Sequence, residues 1–222
     1  ASDVYKRQAQ DEAQIFGTIE AIGSTGAGGT ISVDGTNVLI GPNATLDASG
    51  ATDGGTVNLN AQDALEVSGT VRAVGGSGNG GTINMSGADV LITPTANIDA
   101  SGGTNGGTVN IDASNALNVN GTIRATGGSG QGGTINMTGE EVNIGPQANI
   151  DASGALGGGT INVGGGFQGL DPNLRNSQQT MVAAGAVLRA NGIAGNGGQI
   201  NIWSDGSTDF QGRAETVGSG TV

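Results

Sequence analysis

The chain contains no cysteine and no histidine. Without thiols there is no disulfide, thiol nucleophile or thiolate metal site, and without imidazole there is no His-dependent triad. Aromatic residues are almost as scarce: three Phe, one Trp and one Tyr among 222 residues, too few to fill a conventional globular interior or line a large aromatic pocket. Cations are short as well, with seven Lys and Arg against nineteen Asp and Glu and a formal charge of −12. Such a surface repels phosphate backbones and anionic bilayers, which excludes nucleic acid and membrane insertion as partners. No apolar run approaches the ~20 residues of a membrane span, and no signal peptide opens the chain.

What is abundant is glycine, 46 residues, which with four Pro approaches the level at which aperiodic chains read as low-complexity. Counting 17 Ile, 16 Val, 10 Leu and three Phe gives 46 of 222, just above the roughly 20% below which charged chains stay disordered. Only an ordered pattern rescues a packed core from this composition.

Residues Asp3 to Gln8 read DVYKRQ, the codon-by-codon translation of a transposase sequencing adapter, and they hold the only Tyr and the only Lys. Residues 1–8 are therefore expected to be an artefact and disordered, with the fold confined to 9–222 as a single unit. A read-through of this kind also implies a fragment of a longer gene.

A Gly-Gly pair followed by Thr and a β-branched residue begins at Gly28, Gly54, Gly80, Gly106, Gly132 and Gly158, always 26 residues apart. The next pair, at Gly197, comes 39 residues later. Units two apart match best, with 17 of 26 positions shared between 54–79 and 106–131, so the full period is 52 residues of two alternating coil types. Self-similarity on this scale signals a solenoid. Within a unit, Ile83 and Met85, Val90 and Ile92, and Ile98 and Ala100 alternate with polar residues between Gly-, Ser- and Pro-containing breaks. Three short strands per unit, repeated in register, predict an all-β, right-handed parallel β-helix of about 26 residues per coil. No coil buries enough to stand alone, so the array is stable only cooperatively. The corner glycines are expected to supply φ > 0 or the absence of a side chain.

Several columns invite a chemical reading. The outward charges of the third strands align as Glu20, Asp47, Arg72, Asp99, Arg124, Asp151, Arg189 and Glu215, alternating in sign after the first pair. A ladder of ion pairs that keeps register is expected here, in preference to a polysaccharide lyase groove using Arg72 and Asp99. Gly76, Gly78 and Gly81, and again Gly128, Gly130 and Gly133, satisfy GxGxxG, but a strand follows where a dinucleotide site needs a helix. The Gly-rich strings lack the Asp of calcium-binding nonapeptides, so no calcium or other cofactor is expected. Outward Thr30, Thr56, Thr82, Thr108, Thr134 and Thr160 run beside Asn58, Asn84, Asn110, Asn136 and Asn162. This flat array is compatible with ice or crystal-surface binding, or simply with stacked amides bonding to one another. Sequons at Asn43, Asn84, Asn120 and Asn136 follow from the same composition. No catalytic, cofactor-binding or metal-ligating residue is assigned, and no enzyme activity is expected, a carbohydrate-active β-helix enzyme being the alternative.

The 39-residue unit inserts GGGFQGLDPNLRNSQQ at about 164–179, expected to be a surface loop. From Gly158 to Gly212 the chain resembles the bacterial filamentous haemagglutinin-like exoproteins of two-partner secretion. The resemblance rests on the GGTINVGGGFQG run, the AGAVLRA segment and the block Trp203, Ser204, Asp205, Gly206 and Phe210. It implies a shaft or repeat segment of an adhesin, secreted or on the outer surface of a Gram-negative-type bacterium. It also implies export through an outer-membrane transporter partner, and adhesion of the full-length protein to a glycan or protein of a host or neighbouring cell.

Overall fold

The computed structural model describes residues 4–8 and 11–219. Among them 24 strands form three parallel sheets of eight. The chain visits the three sheets in turn, so each coil adds one strand to each sheet. A representative coil, the fourth, has its strands at Thr82–Gly87, Asp89–Ile92 and Asn97–Asp99. The fifth follows with Thr108–Ala113, Ala116–Val119 and Thr122–Arg124. This is the expected parallel β-helix, and its register is the one the repeat dictates: Ile83 pairs with Val57 and Val109, and Ile98 with Val71 and Ile123.

Alternating inward side chains make the core. Ile31, Val57, Ile83, Val109, Ile135 and Ile161 form one fully buried column, and Leu46, Val71, Ile98, Ile123, Ile150 and Leu188 another. Because each apolar side chain lies on its counterpart one coil away, small aliphatics suffice and aromatics are not needed. In the second sheet the column passes from Val142 to Thr180, a buried hydroxyl where an aliphatic is expected.

The 52-residue period has a geometric cause. In the fourth coil the three connections take one, four and eight residues; in the fifth they take two, two and nine. The differences cancel, so both coil types use 26 residues and the first-sheet strands stay evenly spaced. The four-residue connection is a β-turn closed by Ala96 N–H donating to Thr93 O at 3.0 Å, with Pro94 second. The same turn recurs at Gly41–Ala44 and Gly145–Ala148, and the fixed φ of Pro42 and Pro146 suits that position. In the seventh coil Gly185 at φ 100° takes the third place of the equivalent turn, which ends at Ala186.

The Gly-Gly pairs act through space rather than through φ. Among the described residues positive φ occurs in glycine only at Gly164, Gly165, Gly169 and Gly185. A Cβ on Gly107 would instead overlap the carbonyl oxygen of Gly81 on the preceding coil, and one on Gly106 that of Ala125. The pair lets backbone lie on backbone at the corner, where Gly107 N–H donates to Ala100 O at 2.8 Å.

Val4–Gln8, expected to be disordered, forms a parallel strand against Thr30–Asp34. The exposed N–H and C=O groups of that first-sheet edge accept any extended segment long enough to pair. Residues 1–3 of the same stretch lie outside the described residues.

Candidate functional site

The column of third-strand charges is assembled in the order the sequence gives: Glu20 pairs with Asp47, Asp47 with Arg72, Arg72 with Asp99, and so on to Arg189 with Glu215. It is not the continuous ion-pair ladder expected. Among the described residues, the column's contacts within 4 Å are Arg72 Nε to Asp47 Oδ2 at 3.8 Å and Arg189 Nε to Glu215 Oε2 at 3.5 Å. Asp47, Asp99 and Asp151 each turn Oδ1 onto the backbone N–H two residues on, at Ser49, Ser101 and Ser153, all at 2.9 Å. These carboxylates cap the corner, a local bond that competes successfully with a cation one coil away.

Neither GxGxxG segment cradles a phosphate. The N–H groups of Gly76 and Gly78 donate to Gly50 O and Thr52 O, those of Gly128 and Gly130 to Gly102 O and Thr104 O. With these donors consumed by the coil beneath, no anion nest remains. Among the described residues no group of three or more Asp or Glu could hold a metal ion.

The Asn array is a hydrogen-bonded chain. Asn84 donates to Asn58, Asn110 to Asn84, Asn136 to Asn110, Asn162 to Asn136 and Asn201 to Asn162, at 2.6–2.9 Å. Sequon residues Asn84 and Asn136 are therefore engaged in the ladder, Asn120 is half-buried under Gly145, and Asn43 is exposed. A second amide stack, Asp53, Asn79 and Asn105, lines a corner.

The inserted loop breaks this regularity. Gly164 and Gly165, at φ 73° and 150°, turn the chain outward at the end of the strand Thr160–Val163. A single 3-10 turn, Phe167–Gly169, follows, and Asp171 Oδ1 accepts the N–H of Asn173 at 2.9 Å. Trp203 supports the loop from the next coil: its indole lies where Cβ atoms on Gly165 or Gly169 would collide with it. Its Nε1 donates to Asp205 at 3.0 Å, and Asn176 donates to the same carboxylate at 3.1 Å. Ser177 and Thr180 bond to each other and reach the Trp203 carbonyl at 3.0 and 2.7 Å. This explains the hydroxyl in the apolar column: it satisfies a carbonyl the loop leaves without a ladder partner.

Arg175 then reaches back two coils, donating to Ala113 O at 3.1 Å and standing 3.6 Å from Asp112 Oδ2. Between the loop and the first sheet lies a groove of about 420 Å³. Its residues, Asn110, Asp112, Asn136, Thr138, Asn173, Leu174 and Arg175, join two stretches of chain that periodicity alone does not connect. The sequence signal for it was slight: Arg175 is an arginine that falls in no repeat column.

No protein-family model matches the chain, and no curated protein matches it in sequence. Fold and site together define a class, a parallel β-solenoid whose seventh coil carries a strapped surface loop.

Proposed function

We propose that the chain is a structural shaft segment of a secreted or surface-anchored bacterial adhesin of the filamentous haemagglutinin-like kind. The observation that carries this reading is the uninterrupted stack. From Ser32 to Asn201 the amide ladder passes through seven successive coils, joined side chain to side chain. Each coil repeats the previous one, so the stack adds length without changing cross-section, which is what a spacer between a cell surface and a receptor-binding portion requires. The parent protein would leave the cell through an outer-membrane transporter and engage a surface glycan or protein of a host or neighbouring cell.

The test is a deletion in cells that express the parent gene. Removing residues 80–131, one whole super-repeat, should leave surface display and adhesion intact, because a spacer tolerates shortening. Loss of adhesion with display preserved would place the activity inside the stack. Turnover of acidic or neutral polysaccharides by the purified chain, abolished by Arg72→Ala or Asp99→Ala, would replace the shaft reading with an enzymatic one.

A further inference from the structure

The groove under the loop is a built feature of two coils only. Coils two to six pass from first to second sheet through one or two residues, whereas the seventh takes the long path that walls the outer face of coils five and six. Its volume of about 420 Å³ lies within the ~300–1,000 Å³ of small-ligand sites.

Asn110 and Asn136 form the floor. Asn110 donates to Asn84 and accepts from Asn136, while Asn136 accepts from Asn162 in turn. A carboxamide has two N–H donors and two lone pairs, so each amide keeps one donor and one acceptor beyond those the ladder uses. The two spare pairs repeat at the coil spacing of ~4.8 Å. Thr138 donates to Asp112 Oδ1 at 2.7 Å and keeps an acceptor. The two charges in the groove face each other, Arg175 Nη2 3.6 Å from Asp112 Oδ2. An anion would have to win Arg175 from Asp112 and a cation the reverse, and an uncharged ligand pays neither cost. Leu174 supplies an apolar wall beside these polar groups.

Closely spaced donors and acceptors on one side, an apolar surface on the other and balanced charge fit one ligand chemistry. We propose that the groove binds an uncharged saccharide, with ring hydroxyls on the amides of Asn110 and Asn136 and a pyranose face against Leu174. This does not depend on the shaft reading, since a rod can carry a lateral site.

The experiment probes the whole 222-residue chain with an array of neutral hexose and N-acetylhexosamine tetrasaccharides printed beside sulfated and sialylated ones. Neutral members should bind, with affinity unchanged across a wide range of salt. Leu174→Ala and Asn136→Ala should each weaken binding by about tenfold, the loss of one good contact. Asn58→Ala, in the same ladder but without a loop above it, should leave it within about twofold. Should Asn136→Ala fail to fold, Leu174→Ala and Asn173→Ala decide. The proposal is overturned if the folded chain binds no neutral saccharide, if Leu174→Ala binds as well as the parent, or if only charged saccharides bind and salt removes them.

Discussion

Replacing Asn110 by alanine isolates what the amide ladder contributes. Two hydrogen bonds end on this side chain, Asn110 Nδ2 to Asn84 Oδ1 at 2.9 Å and Asn136 Nδ2 to Asn110 Oδ1 at 2.8 Å. A neutral hydrogen bond is worth ~0.5–1.5 kcal/mol net. The site is half-buried, so water reaches part of what is left unpaired and the lower half of the range applies. The expected cost is about 1–2 kcal/mol, or a fall in Tm of about 2–8 °C for a chain of this size. Asn58→Ala should cost about half as much, because its outer contact to Ser32 Oγ stands at 3.5 Å, the limit of a hydrogen bond. Asn110→Asp adds a pH signature. The introduced carboxylate cannot donate to Asn84 Oδ1, whereas its neutral acid can, so its folded-state pKa lies above the ordinary ~3.9. The folded state then binds the extra proton more tightly, and the variant's deficit relative to the parent should shrink as pH falls through that raised pKa. Urea unfolding followed by far-UV circular dichroism measures all three. An Asn110→Ala variant as stable as the parent, or an Asn110→Asp variant whose deficit grows on acidification, would refute the ladder as a source of stability.

Gly107→Ala should destabilise by about 1–3 kcal/mol or more, since the new methyl meets the Gly81 carbonyl, which cannot move without breaking the corner; thermal unfolding checks it. Ile123→Ala, at a fully buried core position, should cost about 2–5 kcal/mol in the same assay. Deleting residues 80–131 sets Arg72 beside Asp151 and keeps the corner types alternating, whereas deleting 80–105 sets Arg72 beside Arg124 and stacks like corners; the shorter deletion should give the less stable protein on denaturant titration. Arg175→Ala should speed proteolytic cleavage near the exposed Phe167 and Leu170 while moving global stability by less than about 1 kcal/mol, because the Arg175 to Asp112 pair is a partly exposed one.

The strands were legible because side-chain period two and backbone period 26 reinforce each other: once Ile83, Val109 and Ile135 fall in one column, register follows. The third-strand column was legible as a position and misread as an interaction. Charge alternation suggested ion pairs, yet Asp-Ala-Ser at 47–49, 99–101 and 151–153 is also the pattern of an aspartate bonding to the backbone two residues on, and that local bond prevails. Gly-Gly suggested unusual φ where the structure uses close approach. The groove was not legible. It depends on where a fifteen-residue excursion, 164–178, lands, and Arg175 finds Ala113 sixty-two residues away through no repeat rule.

Rod length in a lengthened chain tests the central claim most directly. Inserting four further copies of the 52-residue super-repeat after residue 131 adds eight coils, and electron microscopy of the purified protein should show a rod longer by ~38 Å with its width unchanged. A particle that widens, or that gains no length, would contradict the stack of equivalent coils on which both the fold and the proposed shaft depend.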